Sequence, residues 1–200
     1  MIIFNRYITH VKFIFGLLTM IDRVITNGVP CVVGYHTQEF RYDQQPLKSP
    51  MKCISHEAWL GFGYYFWLEK EFTHSWGKLS KNRTGAYDVY QGNIKEMGIL
   101  NTTFSEDAYF FFRESIETVI ASFKKDGLKI NLQTVHRYLV DKFWPNANVT
   151  GIIYDDLPWN NARTTHTLIP PLHYKKRIQL VVFNLNNIIS FELSSEANNC

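Results

Sequence analysis

Gly61 and Gly63 bracket Phe62 directly before four consecutive aromatics, Tyr64 to Trp67. Paired glycines let a ligand or another backbone approach the chain closely, and a run of rings has the composition of a strand. In a strand Tyr65 and Trp67 share one face while Tyr64 and Phe66 share the other. One pair can then pack a core and the other line a groove for a planar group. The opposing interpretation is a strand packed with no chemistry, the usual fate of aromatics. A second place is His36, at the end of the apolar run VPCVVGYHTQEF, where a lone histidine is more often a satisfied core or loop residue. The third is Gln179 within RIQLVVFNL. A polar side chain in a central strand must be hydrogen-bonded or cost of order 1–3 kcal/mol, so Gln179 is either paired structurally or faces a site. The seven histidines show no HxxxH or HExxH spacing, so a metal has no support.

These residues need elements to position them. The run from Gly28 predicts a buried strand that ends at His36-Thr37 and passes into a surface loop holding Pro46 and Pro50. After Trp67, residues Leu68, Phe72 and Trp76 recur at helical spacing and predict one apolar ridge. KLSKNRTG is a turn, and AYDVYQGNI alternates as a strand with Tyr87, Val89 and Gln91 on one side. Ser105 caps a helix over 106–125 with acidic residues in its first turn and lysines in its last. Its buried face is Ala108, Phe112, Ile116, Val119, Ile120 and Phe123. A second helix runs from Asn131 to about Phe143, closed by Pro145. Strands return from Thr150 and through 174–193, where Ile178, Leu180 and Val182 oppose Gln179, Val181 and Phe183. The order is α+β: strands, a helical middle, then strands.

At 200 residues and 46% hydrophobic content, the chain suits a single domain with one proper core. A net charge of +3 from 21 basic and 18 acidic residues selects neither nucleic acid nor a membrane surface. Cys31, Cys53 and Cys200 form no CxxC pair, so a reducing, cytoplasmic setting is expected. Residues 1–27 are assigned to an N-terminal helix or extension and 28–200 to the domain. Within the former, FIFGLLTMI has the length of a signal-peptide core but is too short to span a bilayer. Asp22 and Arg23 follow where a cleavage site would stand. The alternatives are a helix, an over-extended start with Met20 as the true beginning, or secretion if the segment is a signal.

Taken together, the strand ending in His36-Thr37, the GFGYYFW strand with its helix, and QLVVFN resemble the ADP-ribosyltransferase superfamily of the poly(ADP-ribose) polymerase and diphtheria-toxin type. The resemblance implies a split mixed or antiparallel sheet with flanking helices. It also implies NAD as substrate, without a metal. In that family a histidine, a tyrosine after GxGxYF and a glutamate on a late strand converge on the dinucleotide. Here GFGYYF puts Tyr65 at the tyrosine. Thr73 falls where the family has a serine that binds the nicotinamide amide, and Trp76 where it has a second stacking aromatic. QLVVFN is similar to the family's EYIVYD, so Gln179 stands at the glutamate. The chain departs from the pattern in His36-Thr37-Gln38, which lacks the glycine after the histidine, and in Gln179 itself.

Breaking the bond between nicotinamide and ribose creates an oxocarbenium-like centre, so a catalyst must fix the leaving ring, hold the ribose and stabilise positive charge. The resemblance assigns these tasks. Tyr65 and Trp76 sandwich the ring, Thr73 and the backbone from Gly34 to Thr37 bond its amide, His36 bonds the adenosine ribose, and Gln179 holds the nicotinamide ribose. An amide carries no charge, which costs about 2.7–4 kcal/mol by comparison with other single preorganised groups. Glu39 or Asp155 could supply the missing carboxylate. The implied activity is mono-ADP-ribosylation of a protein or nucleic-acid acceptor, or NAD hydrolysis, as in a microbial toxin or defence factor with an antitoxin or immunity partner and no membrane. The alternatives are a silent relative that binds NAD, ADP-ribose or a protein in the same cleft, and an unrelated α+β domain. Acceptor choice would lie in the loops 41–54 and 159–174.

Overall fold

The computed structural model describes residues 21–40, 45–55, 58, 60–80, 86–155 and 177–199. The predicted N-terminal helix, the Met20 start, the loop over 159–174 and Cys200 lie outside them. Strands β1 (Arg23–Thr26) and β2 (Val29–Glu39) form a hairpin. Asn27 and Gly28 sit at φ 53° and 76°, the left-handed pair that a two-residue hairpin turn requires. Residues 23–26, assigned from sequence to an N-terminal helix or extension, are therefore part of the sheet. His36 is likewise interior to β2, which continues to Glu39.

There follow β3 (Tyr64–Trp67), α1 (Lys70–Ser80), β4 (Ala86–Lys95), β5 (Ile99–Asn101) and α2 (Glu106–Lys125). Next come α3 (Leu132–Tyr138), a π-helical turn (Leu139–Phe143), a helical turn (Trp144–Asn146), β6 (Gly151–Asp155), β7 (Ile178–Val182) and β8 (Ile188–Asn199). The strands make one sheet in the order β5-β6-β7-β3-β2-β4-β8, with β1 beside β2. Only β5 and β6 run parallel. The chain is thus a single α+β domain on a mixed eight-stranded sheet, as its order of elements predicts. Nine registered pairs join β2 to β4, interrupted ones join β4 to β8 through β-bulges, but β2 and β3 share only Tyr35↔Trp67. The sheet opens between β2 and β3.

Each face buries its own core. Val32, Phe66, Ile94, Ile153, Ile178, Leu180 and Val182 form one. Phe66 organises it: a Cβ built on Gly34 would lie 2.8 Å from Phe66 Cβ, and one on Gly92 2.8 Å from its ring. Gly34 and Gly92 are partners across β2 and β4, so the hollow that two missing side chains leave is filled by this ring. On the other face Ile152 and Val181 pack with Phe112, Val119 and Phe123 of α2, Val135 of α3, Leu139 and Trp144.

The helices follow local rules. Ser105 Oγ accepts from the Ala108 amide, and Asn131 and Thr134 form a reciprocal capping box. The α2 face is largely as its periodicity predicts, with Ile116 and Ile120 partly buried against Phe112, Val119 and Phe123. Two expectations change. Pro145 does not stop the second helix; the α geometry widens at Leu139, and Pro145 enters the first turn of Trp144–Asn146, where its missing N–H costs nothing. The ridge of α1 also breaks, since Leu68 and Phe72 are buried but Trp76 is 43% exposed. Among the described residues, no helix is long and apolar enough to cross a membrane.

Two stability predictions arise here. Gly34→Ala should overpack Phe66 and lower the unfolding free energy by about 1–3 kcal/mol, and Phe66→Ala by about 3–5 kcal/mol, both read from urea unfolding curves. Burial pushes the His136 imidazole down from 6.5 to about 4. Between those values the unfolded chain carries the extra proton, so stability is complete above pH 6.5 and falls as the pH drops toward 4. His136→Phe should flatten the pH 7 to 4.5 loss by on the order of 1–3 kcal/mol, measured by urea unfolding at both pH values.

Candidate functional site

Strands β2, β3 and β7 lie side by side, so His36, Tyr65 and Gln179 are carried on three consecutive strands. The rung Tyr35↔Trp67↔Gln179 spans two strand spacings, about 10 Å. Their side chains divide between the two faces. His36 shares the face of Phe66, 5.8 Å from its ring and 6.0 Å from that of Phe191. Only 8% of His36 is exposed. Its Nδ1 lies 2.8 Å from the Tyr65 carbonyl, and since a carbonyl only accepts, Nδ1 carries the proton. This bond crosses the gap between the splayed strands. Through Nδ1, His36 therefore supports the β3 backbone.

The other assigned residues are also committed within the fold. The Tyr65 hydroxyl donates to the Gly61 carbonyl at 2.7 Å. Burial, and then the neighbouring Cys53, pushes its phenol far above the ordinary range, so it stays protonated. Thr37 Oγ1 donates to the Thr73 carbonyl at 2.9 Å, which pins α1 to β2. Thr73 is fully buried and its hydroxyl donates to the Lys70 carbonyl, so it presents no surface to an amide group. Gly34 is covered by Phe66 on its α-carbon side. The ring contact of Trp76 is with Trp67, at 6.2 Å.

Gln179 has the most open chemistry of the set. It lies on the face of Tyr65, because Ile178 and Leu180 enter the opposite core and Tyr65 pairs with Val181. A row crosses the sheet here: Tyr154, Gln179, Trp67, Tyr35 and Gln91 are successive partners on β6, β7, β3, β2 and β4. The Gln179 Oε1 is buried without a hydrogen-bond partner among the described residues. Arg177, two residues before it on the same face, places its guanidinium 5.2 Å from the centre of the Trp67 ring. One row thus offers an orphan amide oxygen, two flanking aromatics and a cation. Tyr154 and Tyr35, both half-buried, can stack a planar ring, the amide can accept from a hydroxyl and the guanidinium can meet an anion. Trp67, 6% exposed and packed on Phe72 and Trp76, backs the row from beneath.

The two substitute carboxylates do not stand beside Gln179. Asp155 pairs with Ile178, one residue along and so on the opposite face, and Glu39 pairs with Tyr87 at the far end of β2. No group of three or more metal-ligating side chains occurs among the described residues, and Cys31 and Cys53 are free thiols. Arg177 escaped the sequence analysis although its signal was present: it stands two residues before the polar exception, just ahead of the strand that carries it. His136, in the apolar face of a helix, gave no signal. No family model, no curated protein and no solved structure matches the chain.

The support role of His36 is open to measurement. His36→Phe keeps an aromatic ring among Phe66 and Phe191 but leaves the Tyr65 carbonyl without its donor, so the unfolding free energy should fall by about 1–3 kcal/mol in urea titrations. No loss would reassign the imidazole.

Proposed function

We propose that the chain is an ADP-ribosyltransferase-like protein that takes NAD along the row of Gln179, Trp67 and Tyr35 and transfers one ADP-ribose to a macromolecule or to water. The observation that carries this is the orphan Oε1 of Gln179, set between Tyr154 and Trp67 and beside Arg177. The resemblance in GFGYYF and QLVVFN supports it, as does the adjacency of the strands bearing Tyr65 and Gln179, whose side chains share a face. The residues present fit the dinucleotide chemically. The phenol rings of Tyr154 and Tyr35 suit the nicotinamide, the amide oxygen accepts from a ribose hydroxyl, and the guanidinium meets the diphosphate.

In the reaction the bond from the ribose carbon to the nicotinamide nitrogen breaks and its electron pair neutralises the pyridinium. The resulting ribosyl cation is captured by an acceptor oxygen or nitrogen, which gives its proton to solvent. Gln179 orients the ribose hydroxyl but adds no negative charge, so turnover is slow. A second reading, a relative that binds NAD or ADP-ribose without turnover, is favoured by the neutrality of Gln179 and by the internal commitment of His36 and Tyr65.

Nicotinamide release from NAD by the purified chain tests both. Gln179→Glu should raise the rate by about 10² to 10³, and Gln179→Ala together with Trp67→Ala should abolish NAD binding in calorimetry. Saturable binding with no release, even in Gln179→Glu, selects the second reading. Absence of binding removes both.

A further inference from the structure

A cavity of about 140 Å³ lies between α3, the π-helical turn and the Gly61-Phe62 loop. Its floor is His136, 5% exposed, whose ring covers Gly61 so closely that a Cβ there would fall 2.4 Å from Nδ1. The Gly61 backbone, at φ +82°, makes that approach possible. Nδ1 is buried with no hydrogen-bond partner among the described residues. Phe62 and Val140 supply apolar walls, and Lys52, Arg137 and Asp141 stand around the mouth. Val140 and Asp141 belong to the π-helical turn, a geometry frequent at functional sites.

The dimensions and charges select an occupant. A cavity of about 150 Å³ holds a single benzene ring, so this volume suits one six-membered ring with a small substituent. Apolar walls and the edge of a neutral imidazole favour an aromatic ring. Two cations against one carboxylate at the mouth favour a negatively charged substituent, and a guanidinium binds a carboxylate in a two-pronged fashion.

We propose that this cavity is a binding site for a small aromatic monocarboxylate, its ring between Phe62, Val140 and His136 and its carboxylate toward Arg137 and Lys52. The site is separate from the Gln179 row and stands whether or not NAD is the substrate there. Gly61, on the wall of the cavity, is tied to β3 through its carbonyl, which accepts from the Tyr65 hydroxyl.

Titrating the full chain with benzoate, benzamide and benzylamine, followed by amide chemical shifts, tests it. Benzoate should saturate with shifts centred on residues 61–62 and 132–141, and benzamide and benzylamine should bind at least about tenfold more weakly, the order expected for losing one charge-assisted hydrogen bond. Arg137→Gln, at an exposed position that does not disturb the fold, should weaken benzoate about tenfold, and Asp141→Asn should tighten it. Failure of benzoate to saturate, equal binding of benzamide or benzylamine, or an Arg137→Gln variant that binds benzoate unchanged would each overturn the proposal.

Discussion

The structure depends on satisfying a backbone carbonyl where two strands part. β2 and β3 meet at one rung, Tyr35↔Trp67, and beyond it the edge of β3 has polar groups with no ladder to join. A buried carbonyl left alone costs about as much as a lost hydrogen bond. His36 resolves this by spanning the gap to Tyr65, and Thr37, one residue on, fastens α1 to β2 by donating to the Thr73 carbonyl. With both bonds in place, β3 can hold Trp67 against β7 while β2 stays paired to β4. The opening in the sheet is thereby rigid, and the row of rings and amides across it keeps its register.

Much of this architecture was legible in the chain. Ser105 and Asn131 announce helices because a capping oxygen acts within three residues, and the alternation of Ile178, Gln179 and Leu180 announces opposite faces because a pleat has a period of two. The Asn27-Gly28 hairpin was equally local and could have been read; the apolar character of the preceding segment drew the assignment to helix instead. β4 was legible only in part. Its alternation put Tyr87, Val89 and Gln91 on one side, yet residues of both faces are buried, seven of the ten in Ala86–Lys95, since α1 covers one side and Phe66 and Phe191 the other. No stretch of ten residues records that coverage.

The site was legible in the same uneven way. Gln179 stood out because an amide in an apolar run has a cost that must be met somewhere, and its oxygen meets no partner among the described residues. His36 was found, but its partner was not, because that partner is a main-chain atom of a strand 29 residues away. The spacing of Leu68, Phe72 and Trp76 located the helix but could not say which of its side chains turn inward. Helix phase is set by what α1 packs on, with Gly77 against the Tyr87 ring, and this packing leaves Trp76 half out in solvent.

The bulges between β4 and β8 have a further consequence. β8 is the outermost strand on its side, twelve residues long, and among the described residues its far edge adjoins no strand. A flat edge of that length is a template on which a second chain can add itself. The irregularities near Val89, Tyr90 and Ile94 coil the pair and spoil the straight row of donors and acceptors such an addition needs. Breaks in the ladder that look like imperfections of folding therefore make this edge a poorer template than its length suggests.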